Sequence, residues 1–409
     1  MPDRVARRFR FAILLFVAAL LVSTASAQSV KQRPYVVLVS LDGFRYDYAE
    51  RYNATNLLAI GKAGVAAEGL IPVFPTLTFP NHISIVTGLY PEHHGIVENG
   101  FYDPIRKEFY GMGAGAQDGS WYRAKPLWVL AEEQNVKSAT MFWPSSDAEI
   151  FTIRPSYWKA YDMSFPNEQR IAQVLNWLKL PEAQRPHLVT LYMSDVDAAG
   201  HKFGPESAET AAAVQRIDKL VGELWRNLQA LNLPINLIVV SDHGMQKVEG
   251  FVDIGPFADF KKVKVDDAGV FTLVYAPDSE AAEQMYFALK AKSPKFDVYR
   301  RKETPPQWHF SEDLRIGDLI VIAKGPNMIG TEPPSGGVPP LLGEHGFDPA
   351  EFPTMKGIFY AVGSNIKPGV RVSPFENVNI FPLITKILGL KNLTRLDGSE
   401  KPLAGVYRP

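Results

Sequence analysis

Short, continuous apolar runs alternate along the chain with longer amphipathic stretches. Three of the runs are rich in β-branched residues and stop abruptly at a polar group, which happens after Tyr35–Leu41, His187–Met193 and Leu237–Val240. Continuous apolar strands of this kind are typical of a parallel sheet that is covered on both faces. We therefore expect these three segments to be buried strands of one sheet.

The amphipathic stretches between the runs have the spacing of helices. They are Thr55–Lys62, Pro126–Gln134, Asn167–Leu178 and Glu206–Leu231. Strands that alternate with helices predict an α/β fold, with a doubly wound, mostly parallel sheet and helices on both of its faces. Ligands bind such folds at the carboxyl ends of the strands, so the polar residues that follow the apolar runs are the first candidates for a functional site.

The region from about residue 250 to residue 341 has a different pattern. Its short apolar segments predict strands at Val263–Val265, Val270–Tyr275, Phe296–Tyr299 and Leu319–Ala323, with a helix at Ser279–Ala291. We interpret this region as a smaller α+β cap or subdomain, inserted into a catalytic domain that spans residues 28–409. A Pro- and Gly-rich stretch, Thr331–Pro340, leads out of it, and Asn377–Leu390 has the pattern of a closing helix.

The first 27 residues have the pattern of a secretory signal peptide. Four arginines precede the apolar run Phe11–Val22, and Ala25-Ser-Ala27 offers an A-x-A cleavage site. The alternative, a membrane anchor, is disfavoured because the run is shorter than the ~20 apolar residues that a spanning helix needs. We expect an exported protein, periplasmic or secreted, without a stable membrane anchor.

Composition limits the chemistry further. The chain has 409 residues, of which 43 are basic and 44 acidic, and removal of the first 27 leaves an excess of four acidic residues. That balance argues against binding to polymeric nucleic acid, which needs a basic surface. The chain has no cysteine, which excludes disulfides and thiolate metal ligands. Nothing in the sequence predicts an oligomer, and we favour a monomer.

Six carboxylate and imidazole side chains stand out, most of them at the ends of predicted strands. They are Asp42, Asp197, His201, Asp242, His243 and His345. Each alone has an ordinary interpretation, since an Asp at the end of a strand is usually a cap or turn residue. Together at one edge of one sheet, the six would repel or desolvate one another without cations between them. Two divalent ions with three protein ligands each would resolve this conflict, and a set of Asp and His without Cys favours zinc over manganese or iron.

Thr78 is the candidate nucleophile. It lies in a turn rich in Thr and Pro, just before a helical pattern that starts near Ile83. In most proteins such a threonine is a cap or turn residue. A hydroxyl at a helix N-terminus that faces metal ions can, however, be activated, because the metal lowers its pKa and the helix dipole stabilises negative charge.

Six motifs carry these residues in a fixed order along the chain. They are Leu41-Asp-Gly-Phe-Arg45, Thr78-Phe-Pro-Asn-His82, Thr87-Gly-Leu-Tyr-Pro-Glu-His-His-Gly95, Asp197-Ala-Ala-Gly-His-Lys-Phe-Gly-Pro205, Ser241-Asp-His-Gly-Met245 and Gly343-Glu-His-Gly-Phe-Asp348. Together they resemble the nucleotide pyrophosphatase/phosphodiesterase family of the alkaline phosphatase superfamily. The resemblance extends over nearly the whole chain, from about Arg33 to Leu390.

The resemblance implies a division of the six ligands between two zinc ions. Asp197, His201 and His345 match the ligands of one ion. Asp42, Asp242 and His243 match those of the other, which Thr78 also contacts as the nucleophile. His82, inside the nucleophile motif, is expected to orient its loop rather than to bind metal. Asp195 and His309 have no assigned role, although His309 could line the pocket.

The resemblance also implies three substrate contacts. Asn99 matches the asparagine that hydrogen-bonds a non-bridging phosphate oxygen. Phe79 matches the aromatic residue beside the leaving or nucleoside group, and Tyr157 is placed like the tyrosine that stacks on the other face of the base. Near Tyr157 the chain departs from the family, since Ser145 stands where the family often has Gly.

The implied activity is that of a phosphodiesterase and pyrophosphatase acting on nucleotides. Thr78 would attack phosphorus, a phosphothreonine would form and be hydrolysed, and a nucleoside monophosphate would be released with net retention at phosphorus. A phosphodiesterase for lysophospholipid or choline substrates, from the same superfamily, is the alternative. Thr78 argues against a sulfatase, the amide and aromatic neighbours argue against a phosphomonoesterase, and the complete ligand set argues against a binding protein without catalysis.

Overall fold

The structure is a computed structural model that describes residues 33–292, 294–333, 341–392 and 394–409. The predicted signal peptide and most of the Pro- and Gly-rich stretch lie outside these residues. Residues Pro34–Pro409 belong to one compact unit.

Two sheets have more than two strands each. In chain order these strands are β1 (Tyr35–Leu41), β2 (Val65–Ala67), β3 (Ser138–Met141), β4 (Tyr157–Lys159), β5 (Leu188–Met193), β6 (Ile235–Val240), β7 (Lys264–Asp267), β8 (Phe271–Tyr275), β9 (Phe296–Arg300), β10 (Leu319–Ala323), β11 (Phe359–Gly363) and β12 (Val370–Val372). Short strands pair outside these sheets at Leu70–Ile71 with Phe375–Glu376, Gly100–Asp103 with Glu108–Gly111, Gln246–Lys247 with Gly343–Glu344, and Gly250–Asp253 with Asn327–Gly330.

The helices lie mostly between the strands. The α-helices are α1 (Tyr48–Arg51), α2 (Thr55–Ala63), α3 (Thr78–Thr87), α4 (Pro91–His94), α5 (Ala114–Gln117), α6 (Leu127–Glu133), α7 (Asn167–Leu178), α8 (Asp195–Phe203), α9 (Ala208–Ala230), α10 (Ser279–Lys290) and α11 (Ile380–Leu388). Short 3-10 helices occur at Gly119–Trp121, Gly255–Phe257, Phe260–Lys262, Arg301–Glu303, Pro306–Trp308, Leu314–Ile316, Pro353–Met355, Asn377–Asn379 and Lys401–Leu403. Within the described ranges, no helix combines the length and the apolar character needed to cross a bilayer.

The large sheet has eight strands in the order β12-β2-β11-β6-β1-β5-β3-β4. β1 pairs in parallel with β5 on one side and β6 on the other, and β3 continues the parallel set. β11 is antiparallel to both of its neighbours. The mostly parallel α/β fold predicted from the sequence is therefore confirmed, and its three strongest apolar runs are the three adjacent central strands.

Both faces of the large sheet are covered, as the unbroken apolar runs predict. Alternate residues of β1 enter two different hydrophobic clusters, with Val36 and Leu38 in one and Val37 and Val39 in the other. Helices α3, α6 and α11 contribute to the first cluster, and α2, α7 and α9 contribute to the second. Each fully buried aliphatic side chain stabilises such a core by about 1.5–3 kcal/mol.

The second sheet has four antiparallel strands in the order β7-β8-β10-β9. It lies in the region that the sequence predicts to be inserted. One of its faces packs on helix α10, where Val298 and Val321 meet Leu289. The other face, which includes Phe271, belongs to the same core cluster as β1. The small sheet thus shares a hydrophobic core with the large one. That this region is a separate inserted cap stays a prediction.

Candidate functional site

Three parallel strands bring four of the predicted ligands to one edge of the large sheet. Asp42 follows β1, while Asp242 and His243 follow β6. Helix α8 begins directly after β5 and carries Asp197 in its first turn. Because these strands are adjacent and parallel, their carboxyl ends meet at the same edge.

Gly43 allows the segment that follows β1 to approach the start of helix α8 closely. Its φ of 67° lies in the left-handed region, and a Cβ there would stand 2.8 Å from Cα of Asp197. The backbone N–H of Asp197 donates to the carbonyl of Asp42 at 3.1 Å. A residue with a side chain at position 43 would push the two aspartates apart.

Asp42, Asp242 and His243 form one buried group, which we call the nucleophile-side group. Nε2 of His243 lies 3.0 Å from Oδ2 of Asp242 and 3.5 Å from Oδ1 of Asp42. Nδ1 of His243 donates to the carbonyl of Gly244 at 2.9 Å, so that Nε2 is the nitrogen without a proton when the ring is neutral. The Thr78 hydroxyl lies 3.4 Å from the same Nε2.

Asp197, His201 and His345 form a second group, the partner group, beside the first. Oδ1 of Asp197 is 3.3 Å from Nε2 of His201 and 3.6 Å from Nε2 of His345, and the two Nε2 atoms are 3.2 Å apart. The rings of His243 and His345 stack with their centroids 3.6 Å apart, so the two groups are contiguous.

Backbone carbonyls fix both histidines of the partner group in one tautomer. Nδ1 of His201 donates to Gly343 O and Nδ1 of His345 donates to Thr76 O, each at 2.9 Å. Nε2 of each ring is thereby presented to the group as a bare nitrogen, the form in which imidazole binds a metal.

The side chains of both groups suit divalent cations. One buried carboxylate oxygen of each aspartate has no hydrogen-bond partner: Oδ1 of Asp42, Oδ1 of Asp197 and Oδ2 of Asp242. Buried acceptors without a donor are costly, and the Nε2 atoms that face them can supply none when the imidazoles are neutral. Oxygen and nitrogen atoms that converge in this way could hold metal ions.

The charges of the groups support the same interpretation. Burial, together with the neighbouring carboxylates of Asp242 and Asp197, raises the pKa of Asp42 well above its ordinary value. Burial opposes the charge of His243, but Asp242 outweighs it and raises the pKa of His243 to about 10. Without a cation, the site thus gathers protons to offset its negative charge, and a divalent cation would replace them.

Thr78 stands at the first position of helix α3. Leu77 is the extended N-cap residue, and Gly88 ends the helix in the left-handed conformation. The helix therefore begins at the threonine itself, five residues earlier than the sequence pattern suggested. Its N-terminal N–H groups place positive potential where the hydroxyl faces the nucleophile-side group.

Asn99 and Phe79 lie beside the nucleophile. Oδ1 of Asn99 accepts a hydrogen bond from the backbone N–H of Phe79 at 2.9 Å, which fixes the amide with Nδ2 as its donor end. The half-buried ring of Phe79 packs edge-on against Tyr110 at 6.4 Å. The structure thus places Asn99 and Phe79 next to Thr78.

Tyr157 lies elsewhere. It is on the edge strand β4, its ring stacks on Trp177 at 6.2 Å, and its hydroxyl donates to the carbonyl of Gln184. None of these contacts involves the two ligand groups. Tyr161, four residues later, is 44% exposed, and its ring contacts Tyr192, whose hydroxyl donates to Oδ2 of Asp42.

Two side chains that contact the ligand groups, Tyr192 and Glu344, were not predicted from the sequence. Tyr192, inside β5, has the appearance of a core residue in an apolar run, and only its bond to Asp42 reveals its role. Glu344 is buried next to His345, with Oε1 3.6 Å from Nδ1 of His201. Its position directly before a predicted histidine ligand was the one signal that could have found it.

Two residues that had no role acquire structural ones. Asp195 accepts hydrogen bonds from Asn167 of α7 and Arg216 of α9, so it fixes the start of the helix that carries Asp197. The ring of His309 stacks on Tyr90 at 3.9 Å, and none of its described contacts involves the ligand groups.

Comparisons with known proteins agree with this geometry. The sequence profile of the family described as type I phosphodiesterase / nucleotide pyrophosphatase matches residues 36–348. The chain is 35% identical over 382 residues to human ectonucleotide pyrophosphatase/phosphodiesterase family member 1, covering 88% of this chain and 40% of that protein. It is 35% identical over 384 residues to an uncharacterized pyrophosphatase/phosphodiesterase of Schizosaccharomyces pombe, covering 87% of this chain and 77% of that protein.

The fold has a solved counterpart. Murine ectonucleotide pyrophosphatase/phosphodiesterase 5, as an inactive variant in complex with AMP, superposes with a TM-score of 0.86 at 27% identity. That match covers 92% of this chain and all of the murine one. The chain described here thus spans the whole of one solved relative and less than half of the human protein.

Proposed function

The chain belongs to the type I phosphodiesterase / nucleotide pyrophosphatase family, and from this premise we propose that it hydrolyses phosphodiester and pyrophosphate bonds of nucleotides and releases a nucleoside monophosphate. The observation that carries the proposal is the Thr78 hydroxyl, which stands at a helix N-terminus and 3.4 Å from Nε2 of His243 within a set of metal ligands.

Two zinc ions are the proposed cofactors. Asp42, Asp242 and His243 would hold one, with Thr78 beside it, and Asp197, His201 and His345 would hold the other. Zinc is favoured because the donors are oxygen and imidazole nitrogen in two groups of three, the usual set for a catalytic zinc. Bound there, zinc supplies a Lewis acid that lowers the pKa of a nearby hydroxyl and neutralises charge on phosphoryl oxygens.

The protein side chains perform a displacement in two steps. The Thr78 hydroxyl gives its proton to solvent and its oxygen forms a bond to phosphorus, while the bond from phosphorus to the leaving group breaks on the opposite side and the leaving group takes the bonding electron pair. Water then attacks the phosphothreonine and releases Thr78, so that two inversions give net retention. The amide of Asn99 donates to a non-bridging oxygen, and the N-terminus of α3 stabilises the developing negative charge.

Phe79 and Tyr161 are the proposed aromatic contacts of the nucleoside base. Phe79 follows the nucleophile directly, and Tyr161 is exposed and joined to the nucleophile-side group through Tyr192. Tyr161 takes the place that the sequence analysis gave to Tyr157, whose ring and hydroxyl are engaged at the sheet edge. A solved relative that contains AMP is consistent with a nucleotide substrate.

A comparison of three chromogenic substrates tests the proposal. Purified protein would receive a nitrophenyl ester of a nucleoside monophosphate, nitrophenyl phosphate and nitrophenyl phosphocholine. We expect the first to be cleaved fastest, activity to disappear with a chelator and zinc to restore it. Preference for nitrophenyl phosphocholine would establish the choline-type alternative, and preference for nitrophenyl phosphate would refute a diesterase.

Export is proposed as well. The first 27 residues would be removed as a signal peptide, which leaves Gln28 as the new N-terminus. N-terminal sequencing of the protein from periplasm or medium, after expression of the full chain, measures this directly. An uncleaved chain that stays with the membrane would contradict it.

A further inference from the structure

His82 is a buried histidine that the proposed reaction does not use. It lies in helix α3, four residues after Thr78, and neither its side chain nor that of Ser40 is exposed. Its ring is held between two aromatic rings, Trp143 at 5.0 Å and Tyr192 at 5.2 Å, both edge-on. A histidine so enclosed has a fixed orientation, so the partners of its two nitrogens are informative.

The partners determine where the His82 proton sits. Nδ1 lies 2.8 Å from the carbonyl oxygen of Thr78 and 3.3 Å from Oδ2 of Asp242. Both of these atoms are acceptors without hydrogens when Asp242 is ionised as a ligand, so Nδ1 must carry the proton. Nε2 is then bare and accepts the hydroxyl proton of Ser40, whose Oγ is 2.8 Å away.

This single N–H donates its hydrogen bond to the Thr78 carbonyl, and its positive end lies close to Oδ2 of Asp242 without a hydrogen bond to it, so it faces two parts of the site that belong to different elements. The Thr78 carbonyl is part of the first turn of α3, whereas Asp242 follows strand β6. Oδ2 of Asp242 is also the oxygen that lies 3.0 Å from Nε2 of His243, which makes it the oxygen on the ligand side. Oδ1 faces away from the group and accepts from the Gly43 N–H at 3.3 Å.

We propose that His82 is a positioning residue for the nucleophile-side group: its Nδ1–H fixes the Thr78 backbone and the ligand oxygen of Asp242 relative to each other, and Ser40 holds the ring in the tautomer that permits this. The proposal rests on the metal site of the proposed function. It adds that the neutral imidazole of His82 sets the distance between Thr78 and the carboxylate of Asp242.

The same helix offers a matched control. His94 is also fully buried, and its Nε2 lies 3.0 Å from the hydroxyl of Ser84, two residues after His82 on α3. Its Nδ1 accepts a hydrogen bond from the backbone N–H of Ile96. This Ser–His pair therefore resembles the Ser40–His82 pair in burial and chemistry but contacts neither ligand group.

The test measures zinc affinity by competition with a chromogenic chelator. We expect His82→Leu to lower the affinity for one of the two zinc ions 10–100-fold, as loss of a residue that supports a metal ligand typically does. The affinity for the other zinc ion should stay within about threefold of the wild-type value. His82→Asn should recover most of the loss, because its side-chain N–H can occupy the place of Nδ1–H. Ser40→Ala should weaken the same equivalent by a smaller factor, about threefold to tenfold.

Two backgrounds identify which equivalent changes. In a His345→Ala chain the nucleophile-side group is left intact, and His82→Leu should weaken the zinc that remains. In an Asp42→Ala chain the partner group is left intact, and His82→Leu should leave its zinc unchanged. Cobalt(II) substituted for zinc gives a second readout, because its visible spectrum reports a changed ligand geometry.

The outcomes separate this proposal from the proposed function. A wild-type chain that binds no zinc, or binds it without hydrolysing any diester, refutes the proposed function. A wild-type chain that binds two zinc ions, together with His82→Leu that retains both affinities or loses no more than His94→Leu, refutes the positioning role. Failure of His82→Asn to recover affinity also counts against it, since a structural role would not require the N–H.

Discussion

At the scale of single residues, the site keeps its imidazoles in one tautomer by means of the backbone. His201, His243 and His345 each donate Nδ1–H to a main-chain carbonyl and present Nε2 to the ligand groups. No side-chain substitution removes these carbonyl acceptors. The nucleophile and the substrate contacts, in contrast, are side chains, and substitutions test their proposed roles directly.

Thr78 gives the sharpest of these tests. Thr78→Ala should lower kcat for the nitrophenyl ester of a nucleoside monophosphate by about a thousandfold or more, because the attacking oxygen is lost. The six proposed ligands are unchanged, so the variant should still bind zinc. Steady-state kinetics and metal analysis measure both effects, and wild-type turnover in the alanine variant would exclude Thr78 as the nucleophile.

Tyr161 and Tyr157 form a natural pair of variants. Tyr161→Ala should raise KM for a nucleotide ester about tenfold, since base–aromatic stacking contributes about 1–3 kcal/mol, and should change the simple ester bis(nitrophenyl) phosphate little. Tyr157→Ala should leave both KM values unchanged but lower the melting temperature, because it loses its packing against Trp177. The reverse pattern would restore Tyr157 as the base contact.

At the scale of elements, strand β7 of the small sheet is tied to the segment that carries Asn99. The side chains of Glu98 and Asp266 meet beside Gly100, which has Oε2 of Glu98 and Oδ1 of Asp266 within 3.6 Å of its ideal Cβ position. Burial raises the pKa of Asp266 to about 6, with a further contribution from Asp267, and burial and Asp266 raise that of Glu98 well above its usual range. The pair therefore holds protons that the unfolded chain would release.

The sign of the resulting pH dependence is fixed. Between about pH 4 and pH 6 the folded chain binds more protons than the unfolded chain. The contribution of protonated Asp266 to the free energy of unfolding is therefore complete below pH 4 and is lost as the pH rises through 6. Asp266→Asn should thus be about 1–3 kcal/mol more stable than wild type at pH 8 and about equal at pH 4. Melting temperatures of both chains at the two pH values test this, and an equal difference at both would contradict it.

The elements also show what the sequence could and could not reveal. The convergence of Asp42 and Asp242 was predictable because each directly follows a buried parallel strand, and the carboxyl ends of adjacent parallel strands meet at one edge of the sheet. That Tyr161, rather than Tyr157, contacts Tyr192 was not predictable. The segment between β3 and β4 contains Phe142 and Ser145 with positive φ values of 65° and 73°, and sequence patterns of side chains do not encode such turns for residues other than Gly or Asn.

At the scale of the whole molecule, the α/β architecture was predictable and the relation between the two sheets was not. The central strands and the long helices follow from apolar periodicity, and Asn167–Leu178 is a helix with the predicted bounds. That Phe271 of the small sheet shares a core cluster with Val36 depends on contacts between residues more than 200 positions apart. Local patterns contain no information on such pairings.

The buried ligands also determine how the whole molecule responds to metal. Removal of zinc should lower the melting temperature, since a ligand at a hundred times its Kd stabilises the folded state by about 2.7 kcal/mol. Asp42→Asn should change the stability of the metal-free chain and that of the zinc-bound chain in opposite directions. It should raise the stability of the metal-free chain, because burial and Asp242 disfavour the Asp42 carboxylate there, and it should reduce the stabilisation by zinc. Calorimetry with and without a chelator measures both, and a variant less stable in both states would contradict this account.

The wide separation of the ligands along the chain has a further consequence, for the order of folding. Asp42 and His345 are roughly 300 residues apart, and the remaining ligands depend on strand pairing for their positions. The site can form only after the large sheet has assembled, because the entropy of closing such long loops is lost before the contacts between ligands can stabilise the chain. Zinc should therefore leave the refolding rate unchanged and slow unfolding alone. The metal would bind after the rest of the fold has formed. The lifetime of the folded molecule would then depend on the concentration of zinc, whereas the folding rate would not.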